Sequence, residues 1–428
     1  MATKASPAAT KEVPKVRSLK MIRMARAMQD ATLIEMAMEL VRESGPIIQL
    51  PGRGPRNIIV SSFALVDELS DDTRFDKSLG SGLQERRAMV GDGLFTAWTN
   101  EPNWHKAHNI LLPTFGRQAM KGYMPEMLDL ASQLMLKWQR LNPEDQVDVP
   151  GDLTRLTLDT IGLCGFDYRF NSFYRTDQHP FVAAMVDSLT KATEKMGGQL
   201  GAGGHPVAKA LVSGLTQWIR PSNADTNAYD KDPDLRHDRE VMNSLVDQVI
   251  QQRKAGGADA IAAHHDLLSY MLTGVDKQSG ESLDDVTIRY EILTFLVAGH
   301  ETTSGLLSFA IYFLLKNPDV LARAYDEVDR VLGADLDVDP TFEQVHRLTY
   351  VTQVLKEALR LWPTAPAFTR APYKETTLGG AYRVMPEDRI SVMTTMLHRD
   401  KSVWGDDAEE FNPDHFSPEA ERSRPANA

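Results

Sequence analysis

One cysteine, Cys164, stands among 428 residues. That excludes an intramolecular disulfide and any zinc site built on paired cysteines, and it suits a reducing compartment. Excess positive charge is missing too. Forty-seven Lys and Arg face 59 Asp and Glu, a formal net charge of -12, which argues against a nucleic-acid partner because phosphate contacts need clustered cations. Apolar runs such as Leu306–Leu315 stay well short of the ~20 residues of a membrane span, so no membrane span is expected. Residues 1–20 mix Lys, Pro, Ala and Thr without the apolar stretch of a signal peptide, and read as a flexible tail on a cytoplasmic chain. Gly (28) and Pro (23) are at ordinary frequency, which excludes a collagen-like or wholly disordered chain. What is present, 42% hydrophobic and 25% charged residues, is enough for one large globular domain over 21–428.

Met21 to Val41 carries Met, Ala and Leu at helical spacing and predicts an amphipathic helix, its methionines serving as packing. Ile47–Leu50 and Asn57–Val60 flank Pro51-Gly52-Arg53-Gly54-Pro55 and predict a β-hairpin. Helical patterns dominate from Phe63 to about Asn317. Val207–Ile219 reads as a short helix between the Gly- and Pro-rich stretches Gly197–Pro206 and Arg220–Pro233, and Leu378–Val384 and Arg389–Met393 read as short strands. The fold class is mainly α with a small β portion.

The most informative segment is Phe295-Leu-Val-Ala298-Gly299-His-Glu301-Thr302-Thr303-Ser304, inside the apolar helical run Ile288–Leu315. An acid buried in such a run is costly unless paired or hydrated, so Glu301 calls for a partner or water. A mid-helix Thr302 can return its hydroxyl to the Ala298 carbonyl and loosen the helix there. Ala298 and Gly299 remove bulk, which suits either a planar cofactor with a proton path or a plain helix crossing. Further on, in Lys356-Glu357-Ala-Leu-Arg360-Leu-Trp362-Pro363, Glu357 and Arg360 share one helix face. Alone, that pair reads as an ordinary solvated contact.

Together the two segments resemble a cytochrome P-450, a haem-thiolate monooxygenase. The order A-G-x-E-T-T, then Glu-x-x-Arg, continues with Phe411-Asn-Pro413-Asp-His415-Phe416, which is similar to the family's F-x-P-x-R-F meander. Upstream, Trp104-His-Lys-Ala-His108 is similar to its W-x-x-x-[RH] helix. Longer runs, Asp92-Gly-Leu-Phe95-Thr-Ala-Trp98, Leu158-Asp-Thr-Ile-Gly-Leu-Cys164-Gly-Phe166 and Gly299–Ser308, resemble the self-sufficient fatty-acid hydroxylases. Their haem domain is fused to a reductase that carries FAD and FMN and takes electrons from NADPH.

The resemblance implies a cytochrome P-450 fold holding haem b and its iron, with O2 and a medium- or long-chain fatty acid as substrates. It gives Thr302 the role of hydrogen-bonding dioxygen and Glu301 that of feeding protons. Ala298, Gly299 and Phe368 would lie against the haem, Trp104 and His108 would meet its propionates, and Phe95 with Phe368 and Ala367 would line the substrate pocket. Glu357, Arg360 and His415 would form a structural network, His415 standing where the family has Arg, without the bidentate fork. Arg53 or Arg86 would supply the cation for a carboxylate, although Arg53 lies in a longer turn, its usual Tyr companion is absent from Arg56-Asn57-Ile58-Ile59, and Arg86 replaces an apolar pocket residue. The family's axial Cys belongs to a loop F-x-x-G-x-R-x-C-x-G after the meander. The chain stops at Ala428, so the expectation is a haem domain that is C-terminally incomplete, with no metal ligand in the chain itself and the axial Cys beyond Ala428. Cys164 matches a buried helix residue. Between Asp187 and Met242 the chain is longer than in the subgroup. The other reading is a catalytically inactive all-α scaffold that lacks the thiolate.

Overall fold

The computed structural model describes residues 11–28, 31–52, 54–198, 232–333, 335 and 338–428. The helices that build the site are α1 (Ser18–Ala27), α2 (Leu33–Ser44), α3 (Ser81–Val90), α4 (Pro102–Leu111), α5 (Arg117–Gln139), α6 (Val149–Phe166), α7 (Pro180–Gly198), α8 (Pro233–Ala255), α9 (Asp285–Lys316), α10 (Pro318–Leu332) and α11 (Thr349–Leu361). The strands are β1 (Ile47–Gln49), β2 (Asn57–Val60), β3 (Phe75–Lys77), β4 (Ala367–Pro372), β5 (Thr376–Leu378), β6 (Tyr382–Val384) and β7 (Arg389–Met393).

The apolar run of the sequence becomes α9, the axis of the helical part. Asp284 caps its start by accepting from the Thr287 N–H, and Pro318 ends it and opens α10. Ile288, Ile292, Leu296 and Val297 of α9 share one core with Leu158 and Phe166 of α6, Met185 of α7, and Met242 and Val246 of α8. α6 and α9 approach closely where Gly299 removes bulk from α9: a Cβ there would fall 2.9 Å from Ile161 of α6. Gly162 of α6 makes room instead for the segment that follows the helix, since a Cβ there would fall 2.7 Å from the Phe170 ring and the Tyr168 carbonyl. The Thr157 hydroxyl donates to the His300 carbonyl across this crossing at 2.8 Å.

A second core lies under the sheet of order β1-β2-β7-β4-β3. The expected hairpin forms, with Ile47 opposite Val60. β2 runs parallel to β7, and β7 antiparallel to β4, which places Phe368 opposite Val392. Leu378–Val384 is not one strand: Gly379 and Gly380 adopt positive φ and fold it into the β5–β6 hairpin.

The N-terminal expectations need correction. Residues 11–16 are not loose: Val13 and Val16 are buried, Lys11 donates to the Ala381 carbonyl at 2.7 Å, and Val16 donates to that of Gln49 at 2.9 Å. Met21 to Val41 is two helices, because Thr32 and Glu35 form a reciprocal capping box that starts a new one at Leu33. The expected helix Val207–Ile219 lies outside the described residues. Among the described residues no single helix is long and apolar enough to cross a membrane.

Candidate functional site

α9 is buried through most of residues 291–297 and then opens at Glu301, Thr302 and Thr303. The Glu301 side chain is 60% exposed, so the expectation of a buried acid is corrected: its position on the helix turns it outward, and His300 Nε2 stands 3.9 Å away. Thr302 Oγ1 donates to the Ala298 carbonyl at 2.8 Å, and Ser308 does the same to Ser304 at 2.7 Å. Hydroxyls thus load the carbonyls of this stretch and weaken its hold on a regular helix. Gly299 directs its missing Cβ at Ile161 and so serves the crossing with α6, not the open face; Ala298 is half-buried.

Apolar side chains flank this opening. The turn carrying Phe95 rests on α9, where a Cβ on Gly93 would collide with the Thr294 hydroxyl and approach the Tyr290 carbonyl. The Phe115 ring meets Phe295 at 5.8 Å. Beyond the opening, Gly305 abuts Thr364, just before β4 brings up half-buried Ala367 and then Phe368. Phe95 and Phe368 are 44% and 45% exposed, and Leu112 and Phe115 are exposed as well. On α4, Trp104 and His108 stack, with ring centroids 5.1 Å apart and planes at 15°. Arg86 is half-buried on α3, while Arg53 lies outside the described residues.

The Glu357–Arg360 pair is no solvated contact. The two side chains are 0% and 1% exposed. Arg360 Nε and Nη2 bond the two Glu357 oxygens at 2.7 and 2.8 Å, and its remaining donors reach the carbonyls of His398, Ala408 and Glu410 at 2.6–2.8 Å. Every guanidinium N–H is therefore used, which is what lets a buried charge persist. Glu357 Oε1 also accepts from the Asn412 N–H at 2.8 Å and faces His415 Nδ1 at 3.0 Å. His415 Nε2 lies 3.1 Å from Asp407. Bonding to Glu357 raises the His415 pKa above the ordinary histidine value, and one imidazole ring stands between two carboxylates, as expected without a bidentate fork. Arg424 packs over Trp404 at 3.9 Å and donates to the His415 carbonyl.

Cys164 is buried on α6, its sulfur 3.8 Å from the Tyr123 carbonyl of α5, and burial pushes its thiol up to about 12. Sequence reasoning missed Lys77, Arg87 and Glu291, which hold the Phe95 turn. Glu291 had a signal: it is the acid that stands inside the buried part of the apolar run.

A family model described as cytochrome P-450 matches residues 13–202 and 211–428. The bifunctional cytochrome P-450/NADPH–P-450 reductase 1 of Bacillus subtilis (strain 168) is 51% identical over 379 residues, covering 89% of this chain and 33% of that protein. The corresponding bifunctional protein of Bacillus cereus is 50% identical over 380 residues, again 89% and 33%. A self-sufficient cytochrome P-450 monooxygenase of Phanerodontia chrysosporium is 41% identical over 390 residues, 91% of this chain and 34% of the relative. The chain spans about a third of the length of these relatives. Its buried Glu-x-x-Arg pair, meander and opened core helix occur within the matched residues, and the chain belongs to the cytochrome P-450 family.

Proposed function

We propose that this chain is the haem-carrying part of a monooxygenase that inserts one oxygen atom of O2 into a C–H bond of a medium- or long-chain fatty acid. Its electrons come from NADPH through a reductase, as the names of the bifunctional relatives suggest, and that reductase carries FAD and FMN, as the resemblance to the self-sufficient hydroxylases implies. The observation that carries the reading is an acid and an alcohol, Glu301 and Thr302, exposed side by side midway along an otherwise buried core helix and flanked by exposed aromatic rings. These residues fit haem. The open apolar face suits a flat macrocycle, and the stacked Trp104 and His108 offer N–H groups to its propionates. Cys164 does not fit as the axial ligand, because a metal takes up the thiolate and burial holds this thiol protonated. Haem, when bound with a thiolate, supplies activation of dioxygen.

The chain's own residues supply the rest. The Thr302 hydroxyl, held by the Ala298 carbonyl, keeps lone pairs free to accept and a rotor that can turn to a bound oxygen. Glu301, in water one residue away, takes protons from solvent and hands them along that side of the helix. Phe95 and Phe368 exclude water and restrict which carbons of a chain come near. Arg53 or Arg86 meets the carboxylate. The inactive-scaffold reading finds no support among relatives whose names state monooxygenase or reductase activity.

The test uses the full-length protein with NADPH and saturated fatty acids. Hydroxylated product is expected, and Thr302→Ala should lower product formed per NADPH by about ten-fold or more while NADPH consumption continues. Unchanged coupling removes Thr302 from the mechanism, and no product from any fatty acid removes the substrate class.

A further inference from the structure

Phe95 is 44% exposed, so the backbone that carries it takes a large share in placing its ring. That backbone is a single turn, in which Thr96 and Ala97 donate to the Gly93 carbonyl at 3.0 and 2.8 Å. A lone turn leaves N–H groups unsatisfied at its start and carbonyls at its end. Both ends are met from other elements. At the start, the Leu94 N–H points at both carboxyl oxygens of Glu291 on α9, at 3.2 and 3.1 Å. At the end, Lys77 Nζ from β3 donates to the carbonyls of Phe95 and Ala97 at 2.9 and 2.8 Å and reaches that of Leu94 at 3.5 Å. Arg87 of α3 takes the remaining carbonyl, Thr96, at 2.8 Å. The cations at the carboxyl end also match the polarity of aligned peptide dipoles. Glu291 is wholly buried, and nothing in the proposed chemistry uses it.

We propose that Glu291 and Lys77 are positioning residues that clamp the Phe95 turn from its two ends and thereby set which carbon of a substrate is oxidised. The inference rests on the reading of Phe95 as a pocket residue. Glu291 acts as an acceptor for Leu94, so an amide replaces it and a hydrocarbon does not. Its burial, which pushes the carboxyl up to about 8, is consistent with a neutral acceptor. Lys77 acts as a donor to carbonyls, so Arg retains the function in part and Met loses it.

The experiment compares Glu291→Gln, Glu291→Met, Lys77→Met and Phe95→Ala in the full-length protein, with two readouts. The first is amide hydrogen exchange over residues 91–97 without substrate. Glu291→Met should speed exchange at Leu94 by roughly five- to ten-fold, the scale of one net hydrogen bond, while Glu291→Gln stays near wild type. Unchanged exchange in Glu291→Met, or equal acceleration in Gln and Met, overturns the clamp. The second readout is the distribution of hydroxylated positions on one fatty acid. Glu291→Met and Lys77→Met should shift it in the direction of Phe95→Ala, and Glu291→Gln should restore it. A shift in Phe95→Ala with none in the clamp variants overturns the inference and leaves the pocket intact. No shift in Phe95→Ala shows instead that the pocket reading failed, and the link to specificity falls with it. Should Glu291→Met not fold, Lys77→Met, whose side chain reaches the turn from the strand side, decides both readouts.

Discussion

Glu291 and Glu301 belong to the same helix and meet opposite surroundings. An acid in an apolar run is costly; Glu301, next to the threonines, stays in water, and it is Glu291 that the core encloses. Sequence shows the acid and the run; only the packing of the Phe95 turn on α9 decides which acid loses water. A consequence can be measured. Burial lifts the Glu291 carboxyl from about 4.5 to about 8, so between those values the unfolded chain releases a proton that the folded chain keeps. Stability from this group therefore falls as pH rises across that window. Glu291→Gln should raise the melting temperature relative to wild type, with a gain that grows from pH 5 to pH 8 and then levels off; a pH-independent difference refutes a buried acid. The slope has the same sign for His415, whose pKa is raised by bonding to Glu357, but here the fold favours the charged form instead of penalising it. Its contribution is fully present below the ordinary histidine value and is lost as pH rises through the elevated one. His415→Gln should cost about 1.5 kcal/mol near pH 6 and progressively less in alkaline buffer, read as paired thermal melts. Glu357→Gln should cost more, about 3–5 kcal/mol, because it strands a buried guanidinium. The motif order located that network, whereas its burial and the Asp407 contact depend on the fold of the meander.

At the level of elements, periodicity and turn chemistry located most of the architecture: α9, the hairpin of β1 and β2, and β7 all stand where the pattern put them. The misses have local causes. Thr32-Leu-Ile-Glu35 is a helix-start signal embedded in a longer apolar pattern, and the pattern masked it. Gly379-Gly380 is a turn signal read as strand interior. Docking of residues 11–16 beside the β hairpins has no signature in a Lys- and Pro-rich stretch. The small residues of α9 were open to two readings, and the α6–α9 crossing claims Gly299. Substitutions at Gly299, on the crossing, and at Gly162, packed on the segment that follows α6, separate tolerant from intolerant sites. Ala at Gly299 meets the end of the flexible Ile161 side chain, and helix propensity repays about 1 kcal/mol, so stability should stay within about 1 kcal/mol of wild type. Ala at Gly162 meets the Tyr168 backbone carbonyl, which cannot move aside cheaply, and should cost about 1–3 kcal/mol after the same gain. Denaturant melts of both variants check the order; equal losses would show that the Tyr168 backbone yields as readily as the Ile161 side chain.

For the molecule as a whole, Phe95 is presented by the turn packed on α9 beside the helical core, and Phe368 by β4 of the sheet. A long apolar substrate lying there gains affinity from the carbons it buries, and a carboxylate at its outer end gains little, since water competes for the charge. The two contributions scale differently, which makes the substrate class testable without knowing its pose. Each added methylene within the pocket should improve binding by about 0.8 kcal/mol, roughly four-fold, until the chain outgrows the pocket. Arg53→Ala or Arg86→Ala should weaken a fatty acid by only about 0.5–1 kcal/mol, a few-fold, and high salt should shrink that difference. A neutral alcohol of equal length should bind alike to wild type and to the arginine variants. Titration of the full-length protein with graded fatty acids and the matching alcohols, at low and high salt, reads all of these terms. Affinity that ignores chain length removes the apolar pocket as the source of binding. Affinity that grows with length while neither arginine variant separates acid from alcohol places the carboxylate in solvent and leaves burial of the apolar chain as the whole source of binding.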